Sequence, residues 1–232
     1  MTETAVAEPA ETPGRMSELV GHRPTVSILI SGPSRTGKTS AANLLADRYG
    51  IRNVKIGEEF RKRTGIDTGM FVKRDPAIDR EMDALQADMI RTATSADPFI
   101  LEARLSAFLA SKERGDRDLP VVTVLFWAPE AVRMERQLRK IRRDQPERTD
   151  TLDDLVRGER ERVARDLELW KSVHPELDDR NVFDPDLTDP NGKPVYDLVI
   201  DTRIGMPDVC AHYVHNWLVD RGDIDSIQPE AS

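Results

Sequence analysis

The sequence predicts a three-layer α/β fold, a five-stranded parallel sheet with helices on both faces and a helical lid. Three observations carry that expectation. Five short apolar runs alternate with amphipathic segments, which is the pattern of successive βαβ units. The first run, residues 26–30, leads at once into Gly-Pro-Ser-Arg-Thr-Gly-Lys-Thr-Ser at 32–40 and then into a helical segment. Two long helical segments before the last run, with the connection between them, hold ten arginines from Arg133 to Arg165.

Residues 1–23 hold Pro9, Pro13 and Gly14 and little to bury, so they are expected to be a disordered tail. The folded domain is placed at 24–221, with a second tail at 222–232. After the strand at 26–30, a helix over 37–49 is closed by Gly50. A strand at 54–56 ends on Gly57, and a charged helix over 58–63 stops near Gly65. Residues 65–75 read as a loop. Pro76 then suits the first helical position behind Asp75. That helix runs to about 94 with Ile78, Met82, Leu85, Met89 and Ile90 on one face.

The third strand, 98–101, delivers Glu102, Ala103 and Arg104 at its carboxyl end. A helix over 105–112 and a charged surface loop at 115–118 follow. The run Val-Val-Thr-Val-Leu-Phe-Trp at 121–127 is the most apolar and is expected to be central. Helices from Pro129 to about 143 and over 150–173 come next, the second ending before Pro175. Pro185, Pro190 and Asn191-Gly192 make 175–194 a long loop. The last strand, 195–200, ends on Asp201-Thr202, and Pro207 opens a helix to about 218. The lid is placed at about 143–175.

A net charge of −8 gives no reason to expect a nucleic-acid groove. No apolar run approaches a membrane span. The first sixteen residues lack the basic start and apolar centre of a targeting peptide. Cys210 is the sole cysteine, which rules out an internal disulfide and points to a reducing compartment. The expected location is cytoplasmic.

Ligands of such sheets bind at the carboxyl ends of the strands. That rim carries residues 32–40, Gly57, Glu102 to Arg104 and Asp201. The spacing Gly32…Gly37-Lys38-Thr39 is G-x-x-x-x-G-K-[ST], the P-loop. Its backbone N–H groups cradle phosphate oxygens, its lysine reaches the β- and γ-phosphates, and its threonine hydroxyl takes a Mg²⁺ position. Glu102 is a candidate Mg²⁺ ligand and Arg104 a candidate phosphate fork. A salt bridge on the rim is the alternative reading of that pair.

One of Arg61, Lys62 and Arg63 is placed to approach an acceptor phosphate. Two or three of the lid arginines suit charge neutralisation over a moving phosphoryl group. Glu135, Glu159, Glu161 and Asp166 offer helical partners to the rest. Asp79, Arg80, Asp83 and Gln86 lie on the polar side of their helix, where they either read a base edge or face solvent. His212 and His215 have no third metal ligand nearby.

With these pieces in place, the chain resembles the archaeal-type cytidylate kinases of the nucleoside monophosphate kinase superfamily, over roughly 26–170 and 195–205. The resemblance rests on ISGPSRTGKTSAANLLADRYGI, IGEEFRKRTG, DPAIDREMDALQ, ILEARLSAFL, FWAPEAVRMERQ, GERER and YDLVIDT. It implies a P-loop kinase fold and transfer of the γ-phosphoryl group of ATP to CMP or dCMP, with Mg²⁺ and a closing lid. It puts the donor phosphates on Gly32, Pro33, Ser34, Arg35, Thr36, Gly37, Lys38, Thr39 and Ser40, with Arg136 and lid arginines near Arg160 on ATP. Arg61 and Arg104 would hold the acceptor phosphate, with Asp79 also on the acceptor side. Lys38, Arg104 and Arg160 would be the catalytic cations, and Thr39 and Glu102 the metal ligands. ATP and a nucleoside monophosphate are the implied partners, with no nucleic acid or membrane and a monomer or weak homodimer.

The chain departs from the family pattern at Arg35 and Ala103, where glycines are usual, in a lid without the usual Arg-Tyr, and in the length of 175–194. A kinase of another small acceptor and an ATP-binding regulatory protein are the alternative functions. An acceptor without a phosphate would not need both Arg61 and Arg104, and the presence of Glu102 and the lid arginines argues against a protein without turnover.

Overall fold

The structure, a computed structural model, describes residues 5–6, 22–64, 76–115, 117–178 and 180–226. In chain order these form β1 (Ala5–Val6), β2 (His22–Pro24), β3 (Ser27–Ser31), α1 (Lys38–Tyr49), β4 (Asn53–Lys55) and α2 (Ile56–Thr64). Next come α3 (Pro76–Arg91), β5 (Ile100–Glu102), α4 (Ser106–Arg114), β6 (Val121–Trp127) and α5 (Glu130–Asp144). The chain continues through α6 (Leu152–Val173), β7 (Leu198–Asp201), α7 (Pro207–Asp220) and β8 (Ile224–Ser226).

The sheet order is β1-β7-β6-β3-β5-β4, and every pairing in it is parallel. The five expected strands are present, with β6 and β3 in the middle. Side chains alternate across β3, so Ile28 and Ile30 face one layer and Leu29 the other. The first layer is α1 and α7, which bury Leu45, Val214 and Leu218 against Val124, Phe126 and Ile200. The second is α3, α4 and the end of α6, which bury Met89, Phe108 and Trp170 against Leu101 and Leu125. Near-continuous burial of β3 and β6 is what a parallel sheet covered on both faces requires.

Three short strands depart from the sequence expectation. Ala5–Val6, placed in the disordered tail, adds a parallel edge strand to β7. His22–Pro24 and Ile224–Ser226, at or beyond the expected domain ends, pair antiparallel with each other. Each is two or three residues long, too short for an alternation pattern to register. The loop expected at 65–75 lies outside the described residues. No helix among the described residues is long and apolar enough to cross a membrane.

The 175–194 segment is irregular, but it is no surface loop. Leu177, Val182, Phe183 and Leu187 are buried in the second layer, and the Tyr196 hydroxyl donates to the Val182 carbonyl. Its prolines and Asn191-Gly192 end regular structure without removing apolar anchors. Above the sheet, α5 and the start of α6 share a small core of their own, Met134, Ile141 and Leu155. A capping box between Thr151 and Asp154 starts α6.

Candidate active site

The carboxyl ends of β3, β5 and β6 bring the loop at 32–40 together with Glu102, Arg104 and Ala128. Close approach decides Gly32, because a Cβ there would run into the Phe126 carbonyl oxygen on β6. Gly37 at φ 84° turns the chain into α1. The Thr36 hydroxyl donates to the Pro33 carbonyl at 3.0 Å, and Lys38 Nζ donates to the same oxygen at 3.2 Å. Burial pushes the Lys38 ammonium down to a pKa of about 8; nearby Glu102 opposes the shift, while Arg104, Arg162 and Arg133 add to it. The Thr39 hydroxyl donates to Glu102 Oε1 at 2.5 Å, so the two expected metal ligands are in contact.

Over the loop sits a charged knot from α5 and α6. Arg133 is buried and reaches the Ser34 carbonyl at 3.4 Å, the Ala128 carbonyl at 3.3 Å and Glu159 at 2.7 Å. Arg162 donates to Ser34 Oγ at 2.7 Å and pairs with Glu159 at 2.6 Å. The Ser34 hydroxyl in turn donates to Glu159 at 3.1 Å. Burial works to raise the Glu159 pKa, but the hydrogen bond from Arg133 and the Arg162 charge outweigh it and hold it low.

Arg136 donates to Thr202 Oγ1 at 2.9 Å, to the Thr202 carbonyl at 2.7 Å and to the Arg35 carbonyl at 3.4 Å. It ties the loop to the end of β7. Arg35 and Ser40 are exposed.

Arg160 is not brought to the loop. Its side chain is 71% exposed and forks onto Glu130 at 2.8 Å and 3.1 Å. Helical phase is the reason. At about 100° per residue, Arg162 lies about 20° from Leu155 on the inward face of α6, and Arg160 about 140° away. Leu155 and Trp170 mark that face in the sequence and are the signal that would have selected Arg162. Arg133, about 100° from the buried Met134 on α5, carries no such signal.

Beside Lys38 and Thr39 opens a cavity of about 360 Å³. Its walls are Lys55 to Gly57 at the start of α2; Asp79, Asp83 and Gln86 on α3; and Arg104 with Trp170. Arg104 Nη1 donates to Asp166 on α6, and its guanidinium lies 4.8 Å from the Trp170 ring centre and 5.4 Å from that of Phe183. The rim pairing and the cavity placement therefore coexist, with Asp166 as the ion partner instead of Glu102. Asp79 is buried on the cavity wall, whereas Arg61 is exposed on α2 and not part of that wall. His215 is buried and hydrogen-bonded to Tyr49 at 3.0 Å, far from any ligand role.

A family model described as an AAA domain matches residues 31–155. The cytidylate kinase of Methanopyrus kandleri is 31% identical over 188 residues, spanning 77% of this chain and 85% of the relative. That of Methanocaldococcus jannaschii is 30% identical over 185 residues, 75% and 87% of the two chains. Among solved structures, shikimate kinase from Bacteroides thetaiotaomicron superposes with a TM-score of 0.53 at 12% identity, over 84% of this chain and 98% of that one. Shikimate kinase from Acinetobacter baumannii, in complex with shikimate, gives 0.52 at 15% identity, over 86% and 94%. At such identities the likeness is one of fold.

Proposed function

The chain belongs to the cytidylate kinases and carries the AAA domain; on that premise we propose that it transfers the γ-phosphoryl group of ATP to cytidine monophosphate or its deoxy form. One observation carries the reading. The cavity beside α3 opens directly onto Lys38 and Thr39, with Arg104 on its wall. A monophosphate gripped by Arg104 then presents its oxygen to the γ-phosphorus held over the loop.

That oxygen forms the new bond to phosphorus as the bond to the β,γ-bridging oxygen breaks, and ADP leaves. The acceptor phosphate is already ionised, so no strong base is needed, and catalysis is positioning and charge neutralisation. The loop amides and Lys38 hold the donor phosphates. Contact with those phosphates raises the Lys38 pKa back from about 8 and secures its charge. Arg133 and Arg162 sit where charge spreads over the moving group, with Arg136 bracing the loop. Magnesium, when bound, supplies further positive charge to the β- and γ-oxygens. The Thr39 hydroxyl and the Glu102 carboxylate are the hard oxygen donors that this chain offers it.

A cytoplasmic location and a monomeric or weakly dimeric state belong to the same proposal. The lone, free Cys210 suits a reducing compartment; burial separately pushes its thiol pKa up to about 11 and keeps it unreactive. The deciding experiment measures ADP release from Mg·ATP with CMP, dCMP, UMP, AMP and unphosphorylated acceptors. CMP or dCMP should give the highest kcat/KM. Turnover with an unphosphorylated acceptor alone would overturn the reading.

A further inference from the structure

One wall of the cavity holds a polar group that the chemistry above does not use. Gln86 is 3% exposed and lines the cavity from α3. Its amide nitrogen donates to Asp83 Oδ1 at 3.0 Å and to the Met82 carbonyl at 3.3 Å. Both partners only accept, so the NH₂ must face them and the carbonyl oxygen must be the other end. That oxygen is sealed from solvent and has no hydrogen-bond partner among the described residues. A buried acceptor left unmade is costly, and native structures rarely keep one without a reason.

A relay holds the amide in this orientation. Asp83 Oδ2 accepts from His174 Nε2 at 2.9 Å, and His174 Nδ1 faces Lys112 Nζ at 3.4 Å. Lys112 also pairs with Glu176. The His174 tautomer is therefore set by a carboxylate on one side and an ammonium donor on the other. His174 closes α6 at its C-terminal cap and packs its ring edge against Phe108 at 5.5 Å. The relay thus locks both Asp83 oxygens, and through them the Gln86 amide.

We infer that Gln86 selects the base of the acceptor, its carbonyl oxygen accepting from an exocyclic amine, with Asp83 and His174 as positioning residues. The inference rests on the acceptor reading above and deepens it. Cytosine presents an amine at ring position 4, whereas uracil presents a carbonyl oxygen there. An acceptor facing that position favours the first and leaves two oxygens opposed with the second. A site built for one hydrogen-bond polarity rejects the opposite polarity because its buried groups stay unpaired.

The test compares kcat/KM for CMP and UMP in the wild type, Gln86→Met and Asp83→Asn, with KM for ATP and a thermal melt on each. Gln86→Met keeps the volume and removes the acceptor, and should lower the CMP to UMP ratio roughly 10- to 100-fold. Asp83→Asn is the sharper variant. Its side-chain oxygen can still accept from His174, which turns its new NH₂ onto the Gln86 NH₂; two donors then oppose each other, and with the Met82 carbonyl alone holding it the Gln86 amide is no longer locked in one orientation. The ratio should then move toward UMP, whose carbonyl oxygen accepts.

If Gln86→Met fails to fold, Asp83→Asn decides alone. A ratio unchanged in folded variants overturns the inference and leaves the phosphotransferase reading standing. A ratio that moves toward CMP also overturns it. A wild type that turns over no pyrimidine monophosphate overturns both.

Discussion

The loop between β3 and α1 and the wall formed by α3 face each other across the cavity and are made of different material. On the loop side the chain presents backbone. Gly32 lies hard against the Phe126 carbonyl, Gly37 takes a left-handed turn, and Thr36 and Lys38 bond back to Pro33. On the far side it presents side chains, with Asp79, Asp83 and Gln86 on α3 and Arg104 held between Asp166, Trp170 and Phe183. Backbone amides can bind a phosphate chain that many nucleotides share. Side chains can tell one acceptor from another. The contrast teaches that losses on the loop side should strike turnover whatever the acceptor, while losses on the α3 side should be acceptor-specific.

The largest expected effect is on the loop side. Lys38→Ala should lower kcat roughly 10³-fold with every acceptor, since a preorganised charge on the transferred group is lost. A melt within a few degrees of wild type would separate this from unfolding. Near-normal turnover in the folded variant would mean that the loop is not the donor site.

Arg104→Ala comes next and should behave in the opposite way. Its guanidinium is partly shielded from water by two rings, so losing a forked, charge-assisted bond to the acceptor phosphate should cost about 100-fold in kcat/KM for CMP. KM for ATP should change little. Lysine keeps the charge but not the fork, so Arg104→Lys should recover only part of the loss. An Arg104→Ala variant that raises KM for ATP as much as for CMP would dissolve the distinction between the two walls.

A third test concerns the knot above the loop. Arg162 is bonded to Ser34 and Glu159, and Arg160 to Glu130 on the outer surface. Arg162→Ala should lower kcat roughly 10- to 100-fold. Arg160→Ala, an exposed pair lost, should stay within about twofold. The reverse order of effects would show that α6 turns on closure and exchanges the two.

How much of this was legible in the sequence follows the same contrast. The loop is nine consecutive residues between a strand and a helix, and local spacing was enough to read it. The sheet was legible too, because β3 and β6 are mostly apolar and the shorter strands centre on Val54, Ile100-Leu101 and Leu198 to Ile200. Arg162 was written in the phase set by Leu155 and Trp170, but the glutamates around it pair with either arginine, so charge pattern alone chose neither, and Arg160 entered only through the family resemblance. The role of Phe183 was not legible. It depends on an irregular segment folding back over Arg104, and no periodicity marks a segment without regular structure. The pairing of His22–Pro24 with Ile224–Ser226 joins segments about 200 residues apart through three residues each, which local pattern does not reach.

The smallest effect tests whether the loop geometry is imposed by its surroundings or by its own residues. Two backbone positions at the site differ sharply. Ala103 is not among the positive-φ residues, so alanine sits there without backbone strain, whereas Arg35 is held at φ 65°, in the left-handed region. A side chain in that region costs roughly 1–2 kcal/mol. The exposed Arg35 side chain returns little, since among the described residues its hydrogen bond is a 3.4 Å contact to Gln137. Arg35→Gly relieves the strain but adds freedom to the unfolded chain, which offsets about 0.5–1 kcal/mol. The net expectation is a gain of about 0.5–1 kcal/mol, or roughly 1–4 °C in Tm for a chain of this size, with kcat unchanged. Arg35→Ala keeps the strained φ and loses the Gln137 contact, so it should show no gain. Equal melting points for the glycine and alanine variants would mean that the loop bears no strain at Arg35.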